Sequence, residues 1–356
     1  MPCYDIAVLP GDGIGTEVTR EAERAIIAAS TQFQFNVSLE HYPIGGAALD
    51  QLDTPFPDRT RDACLAADAV FLGALGGPKW DHEIGHRRCE FALLALRKVL
   101  GGFANLRPVI VPESLIESSP LRAERVSGTD LLIVRELTGG IYFGSPRTDS
   151  DDQGINTMIY CRSEIERIAR LAFSLAQKRK GKLTSVDKAN VLEVSQLWRR
   201  VVTEIQRSEF PDVELEHLYV DNAAIQLILR PTQFDVILTS NLFGDILSDL
   251  AGTLPGSLGI LPSATMGGKV GLFEPIHGSA PDIMGKGLAN PAGALLSVVM
   301  LLDSLGETEA SECIQSAIMN TLDAGIRTRD LGGTASTTEF GDTVLHHAFG
   351  MTPALV

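Results

Sequence analysis

Residues 4–18 read YDIAVLPGDGIGTEV: an aliphatic run, a turn with glycines at 11, 13 and 15, and the start of a helical period. Strand, glycine turn and helix in that order open an α/β unit. The spacing is GxGxG, not the GxGxxG of a dinucleotide-binding turn, and Asp12 would put a carboxylate where a pyrophosphate should sit. The segment reads as a strand-to-helix turn that needs glycine conformations. Further apolar runs at 68–75 (DAVFLGAL), 130–137 (DLLIVREL) and 234–240 (FDVILTS) read as strands. Between them Val18, Ala22, Ala25, Ile26 and Ala29 share one helical face, as do Ile165, Ile168, Ala172, Leu175 and Ala176. Pro291 can open a helix over ALLSVVMLL, apolar on nearly every side and so buried. The pattern predicts an α/β fold with largely parallel strands. GDGIG, GGPKWD, RELTGG and SNLFGD each follow a strand, and ligands of open α/β sheets gather beyond the carboxyl ends of strands, so these loops are expected to face one cleft.

The 356 residues exceed one ordinary core and predict two lobes. Lys and Arg number 30 against 45 Asp and Glu, so the net charge is 30 − 45 = −15, which repels phosphates and argues against nucleic-acid or membrane-surface partners. Hydrophobic residues at 44% and charged residues at 21% suit a soluble globular protein, and 34 glycines predict many tight loops, where chemistry is to be sought. Five cysteines, an odd number without CxxC spacing, disfavour a disulfide framework or structural zinc. The most apolar stretch, 292–302, falls short of the ~20 residues of a membrane span. With YDIAVL following Met1 so closely and no leader pattern, the expected compartment is reducing cytosol.

Asp245 and Asp249 in NLFGDILSDLAG are four residues apart in a helical stretch, so their carboxylates share a face and repel; a bridging cation would relieve this. All-oxygen ligands favour Mg²⁺ or Mn²⁺, and Asp221 in LYVDNAA is a candidate third ligand. A solvated acidic face is the alternative, against which Leu242, Phe243, Ile246, Leu247 and Leu250 leave little wet surface. Arg97, Arg107 and Arg135 sit beside turns in apolar settings, where guanidinium groups need anions. Either a small dianion or trianion meets them, or salt bridges to Glu90 or Glu136 do. Lys188 in SVDKANVLE closes a strand ahead of a helix beginning near Val191, a setting suited to a general base. Tyr142 in TGGIYFG could donate a proton or be a core residue. The glycine- and proline-rich segment 274–291 is too irregular for helix or strand; Asp282 could accept from both hydroxyls of an adenosine ribose and repel a 2′-phosphate. The alternative there is a long connector with His277 as an ordinary hydrogen-bonded histidine. His346 and His347 are expected near a fraying terminus.

Taken together, GDGIG, GGPKWD, LRKVLGGFANLRP, VRELTGGIYFG, NT followed by EIERIARLAF, SVDKANVLE, LYVDNAA, NLFGDILSDLAG, PGSLG and FEPIHGSAPDIMGKGLANP resemble the isocitrate/isopropylmalate family of β-decarboxylating dehydrogenases, over about the whole chain. GDGIG and the paired aspartates are shared across that family; the two leucines before LALRK, VRELTGGIYFG and SVDKANVLE point to its isopropylmalate branch. The resemblance implies two α/β lobes with a central cleft and no Rossmann fold: 1–102 with 256–356, carrying the NAD-binding loops, and an inserted 103–255, carrying dimerisation, the lysine and the metal carboxylates. It implies a homodimer with shared active sites and NAD-dependent oxidative decarboxylation of (2R,3S)-3-isopropylmalate to 4-methyl-2-oxopentanoate, in leucine biosynthesis. D-malate, tartrate or another 3-substituted malate is the alternative substrate class.

By the same resemblance Arg97, Arg107 and Arg135 would hold the substrate carboxylates, Leu93 and Leu94 would contact the isopropyl group, and Tyr142 would protonate C3. Asp245 and Asp249 would bind Mg²⁺ or Mn²⁺ together with Asp221 of the second subunit, which would also supply Lys188 as base. Gly76, Gly77 and Glu90 would lie by the nicotinamide end of NAD; Glu274, His277, Gly278, Ser279, Ala280, Asp282, Ala289, Asn290 and Asp330 would line its adenosine end. Cys89, Phe91 and Met284 depart from the usual proline, small residue and alanine, the first two beside the substrate loop. A non-catalytic paralogue is disfavoured, because Lys188, Tyr142 and all three aspartates are present.

Overall fold

In the computed structural model, which describes residues 1–351, every residue of Ala69–Ala74 and Val236–Thr239 is buried, as suits apolar runs covered on both faces. The chain divides into two units, Met1–Gly102 with Gly256–Val356, and Phe103–Pro255.

In the first unit five strands lie in the order Asn36–His41, Cys3–Gly11, Ala69–Ala74, Gly271–Pro275, Pro262–Met266. The first four run parallel and the last pair is antiparallel. The chain's first three strands thus take the order 2-1-3, not the 3-2-1 start of the dinucleotide-binding fold. Helix Gly15–Phe33 buries Val18, Ala22, Ala25, Ile26 and Ala29, the face its periodicity predicts. Helix Ala292–Ser304, entered through Pro291, is buried on all sides over its first eight residues.

In the second unit the order is Ala104–Ile110, Asp130–Glu136, Val236–Thr239, Lys182–Asp187, Glu214–Tyr219, with only the first pair antiparallel. Helices Arg162–Gln177 and Glu193–Glu209 bury Ile165, Ile168, Ala172, Phe173, Trp198, Val201 and Val202 against Leu183, Val236 and Leu238. Leu175 is only partly buried, at the margin of that core.

The expectation of largely parallel strands holds, with antiparallel pairings that periodicity does not reveal, among them a short pair between Thr148–Asp149 and Gly154–Ile155. The outer strands Asn36–His41 and Glu214–Tyr219 are partly or wholly exposed throughout, and their mixed polar sequences carry no continuous apolar run. No helix among the described residues is long and apolar enough to cross a membrane. All five cysteines are free thiols.

Candidate active site

In the second unit, strand Asp130–Glu136 carries Arg135 near its carboxyl end, and its antiparallel neighbour brings Asn105 opposite it. Asn105 and Arg107, two apart, lie on the same face of their strand. Arg107 Nε donates to Asn105 Oδ1 at 2.7 Å, and its Nη1 to Ser248 Oγ at 2.6 Å and Asp249 Oδ1 at 3.0 Å. Arg135 donates Nε and Nη2 to Asn241 Oδ1 at 3.1 and 2.8 Å, and Nη1 to Asp245 Oδ1. Tyr142 OH donates to Asp245 Oδ2 at 2.8 Å. Burial first, then the Asp245 hydrogen bond, push the Tyr142 phenol above its ordinary value, so it keeps its proton at neutral pH.

Arg107 and Arg135 thus meet Asp249 and Asp245, while Glu136 pairs with Arg167. Glu136 is fully buried and accepts from Thr138 N and Gly139 N, at 2.9 and 2.8 Å, closing the RELTGG turn. Two buried guanidinium groups face the two carboxylates of helix Asn241–Gly252, so positive and negative charges balance within the cluster. The expectation of little wet surface around Asp249 is corrected. The helix turns Asn241, Gly244, Leu247, Ser248 and Ala251 inward, which leaves Asp249 exposed and Ile246 57% exposed. Asp221 does not join Asp245 and Asp249. Among the described residues no three His, Cys, Asp or Glu side chains are grouped to hold a metal ion.

Asp221 instead meets Lys188, Nζ to Oδ1 at 2.5 Å, and this hydrogen bond holds its carboxyl below the usual range. Lys188 follows strand Lys182–Asp187, and the next helix begins at Glu193, two residues later than the sequence suggests, because Val191 and Leu192 turn back to the Lys188 carbonyl.

In the first unit, helix Cys89–Leu100 turns Ala92, Leu96 and Leu100 inward with half-buried Leu93 packed beside them, while Glu90 and Leu94 are exposed and Arg97 is half-buried. Arg97 Nη2 pairs with buried Glu274 at 2.7 Å, while its buried Nε has no hydrogen-bond partner among the described residues. Glu274 thus meets Arg97 here, not the residues of 277–290. Gly76, Gly77, Trp80 and Glu90 line a cavity of about 280 Å³. Cys89 is buried, and burial pushes its thiol up to about 12.

The GDGIG turn has a structural task. Buried Asp12 accepts the N–H groups of Gly46, Ala47 and Gly76 at 2.9, 2.7 and 2.8 Å. Gly13, at φ +58°, passes so close to the Ser279 backbone that any side chain would collide with it. Ile14 N donates to Ser279 O at 2.8 Å, and Glu17 accepts from Gly285 N at 2.5 Å and Gly287 N at 3.1 Å. The first turn therefore docks the long 276–291 segment, in which Ala280 takes φ +38° and Ala289 is buried. Asn290 Nδ2 donates to Asp330 Oδ2 at 2.9 Å, bringing these two predicted residues together. His277 Nδ1 lies 2.9 Å from Gly278 O, and burial of the ring, whose Nε2 has no hydrogen-bond partner among the described residues, holds the imidazole below its ordinary value. Asp282 and Gly278 are exposed. His346 and His347 sit in the last turn of a helix closed by Gly350 N to His346 O, so that end is capped and not frayed.

Residues 5–344 match the family model described as isocitrate/isopropylmalate dehydrogenase. The chain belongs to the isocitrate/isopropylmalate dehydrogenase family. A 3-isopropylmalate dehydrogenase of Salinibacter ruber is 59% identical over 98% of this chain and 97% of its own length. Among solved structures, an isocitrate dehydrogenase of Methylococcus capsulatus superposes with a TM-score of 0.86 at 34% identity, covering 97% of this chain and 99% of that one. A β-decarboxylating dehydrogenase of Thermococcus kodakarensis gives 0.81 at 38% identity, covering 97% and 96%. The chain therefore has the fold of that dehydrogenase family.

Sequence reading missed Asn105, Asn241 and Ser248, which complete the arginine cluster, and Asp187, Ser195 and Arg199 around Lys188. Alternation along FANLRP could have placed Asn105 beside Arg107, and Asp187 directly precedes Lys188; the others become neighbours only through strand pairing and helix packing.

Proposed function

We propose that this family member oxidatively decarboxylates (2R,3S)-3-isopropylmalate to 4-methyl-2-oxopentanoate and CO₂, with NAD as hydride acceptor, in the reducing cytosol and as a step of leucine biosynthesis. The observation that carries the reading is helix Cys89–Leu100, where half-buried Leu93 and exposed Leu94 stand one turn before Arg97. An apolar contact next to a carboxylate-binding cation suits a diacid with a branched alkyl group. The 59% identity to a relative named for that substrate supports it.

Arg97, with one buried N–H unmet, and Arg107 and Arg135 would take the substrate carboxylates. Asp245 and Asp249 offer the all-oxygen donors suited to Mg²⁺ or Mn²⁺, with Asp221 of a second copy as third donor. A divalent ion there supplies Lewis acidity toward the C2 oxygen and its neighbouring carboxylate. Asp245 and Asp249 would hold that ion while Arg107 and Arg135 hold the substrate dianion, so the charges of the cluster stay balanced. Lys188 of the second copy would accept the C2 hydroxyl proton, and Tyr142, which keeps its proton, would deliver one to C3. Exposed Ile225 and Leu229, on the helix of Asp221, and Ile246 beside Asp249 support self-association. Buried, unpartnered His277 Nε2 and the Asn290–Asp330 pair support an adenosine site, and exposed Asp282 favours NAD over NADP.

The test is a substrate panel with purified protein, NAD and Mg²⁺. Metal-dependent NADH formation should be far faster with isopropylmalate than with isocitrate, D-malate or tartrate. Equal or faster turnover of D-malate or tartrate would transfer the assignment to those substrates.

A further inference from the structure

We propose that Tyr219 is a positioning residue for Lys188; the inference rests on the reading of Lys188 as the base. The backbone at Lys188 is pinned on every side. Its N–H donates to Ser195 Oγ at 3.1 Å, and its carbonyl accepts from Val191 N and Leu192 N, each at 3.0 Å. One residue earlier, buried Asp187 takes Arg199 through both carboxylate oxygens at 2.9 Å and also accepts Ala189 N at 2.8 Å. That bidentate contact uses up the anion nearest to Lys188 in the chain. Ser195 and Arg199, four apart, hold the turn from one face of helix Glu193–Glu209.

A fixed backbone does not fix the ammonium, which sits at the end of a flexible four-carbon stem. Two contacts define where it goes: Asp221, and the Tyr219 ring, whose centre is 5.9 Å from Nζ. In the proposed reaction Asp221 turns to the divalent ion and Lys188 acts as the neutral amine; the ring is then the contact that remains, and it favours the ammonium that forms as the C2 hydroxyl proton is taken up. Arg199 Cζ lies 5.0 Å from the same ring centre, so the anchor on Asp187 also holds the ring. Tyr219 is 38% exposed, so its ring is dispensable for the core.

The test compares Tyr219→Leu with Tyr219→Phe. Tyr219→Leu should lower kcat about fivefold, as expected for losing one cation–π contact, with KM for isopropylmalate and the melting temperature nearly unchanged. Tyr219→Phe should recover most of the lost rate. Wild-type kcat in Tyr219→Leu, a loss carried by KM, or an equal loss in both variants would overturn the proposal. A second readout needs no turnover: labelling of Lys188 by an amine-directed reagent, followed by peptide mass spectrometry. Labelling should be faster in Tyr219→Leu than in wild type or Tyr219→Phe, and equal rates would also overturn it. Faster labelling in a chain that fails to oxidise isopropylmalate would support the positioning role while removing the substrate assignment.

Discussion

Asp282 and His217 show how single side chains set measurable preferences. Asp282 is exposed on the 276–291 segment, and its backbone carbonyl accepts Lys286 Nζ at 2.7 Å. On the proposed reading, Asp282→Ala would remove the acceptor for the ribose hydroxyls and the charge that opposes a 2′-phosphate. The preference for NAD over NADP should shrink about tenfold, and an unmoved ratio of kcat/KM values would show that Asp282 does not face the ribose. His217 contacts Thr203 Oγ1 at 3.0 Å; burial first, and then the Arg199 charge, hold its imidazole below the ordinary 6.5. The folded state therefore favours the neutral ring. That contribution is complete above pH 6.5 and is lost as pH falls through the lower folded value. His217→Gln should reduce the drop in Tm between neutral and mildly acidic buffer; an identical drop would refute the assignment. Residue types were legible at this scale, since arginines in apolar surroundings announce a need for anions. Their partners were not, because Asp245 and Asp249 lie more than a hundred positions from Arg135 and Arg107 and meet them only through tertiary packing.

Helix Asn241–Gly252 shows what an element adds. Gly244 faces Arg135, and a Cβ there would sit 2.5 Å from Arg135 Cγ and 2.7 Å from its Cβ. In an exposed helix interior Gly→Ala stabilises by up to about 1 kcal/mol. Here the sign should reverse. Gly244→Ala should cost about 1–3 kcal/mol from overpacking and should raise KM for the substrate by displacing the guanidinium, as denaturant titration and steady-state kinetics would reveal. A more stable, fully active variant would show that the close approach is unimportant. The central strands and the faces of helices Gly15–Phe33 and Arg162–Gln177 were readable because burial on both faces, or on one stripe, demands apolar runs or a 3.6-residue period. The outer strands were not, because partly exposed backbone tolerates sequences such as NVSLEH and ELEHLY.

For the whole molecule the central expectation is that two copies complete one another. Lys188 pairs with Asp221 and stands apart from the Asp245–Asp249 cluster, so the base and the third metal ligand would travel together into the neighbouring copy's site. Lys188→Ala and Asp249→Asn copies should each be nearly inactive alone. Refolded together in equal amounts, they should regain about a quarter of wild-type activity, because half of the dimers are mixed and each mixed dimer has one intact site. No recovery would mean that each chain works alone. By itself, the sequence determined the α/β class, the buried helix faces, the failure of the dinucleotide fingerprint and the motifs that mark the family, because these depend on local period, turn chemistry and residue type. Only the tertiary structure decided that GDGIG docks the 276–291 segment, that Arg107 and Arg135 rest on Asp249 and Asp245, that Glu274 meets Arg97, and that Asp221 holds Lys188. Those pairings join distant positions, and charge neutralisation in a buried setting chooses among partners that spacing along the chain leaves equivalent.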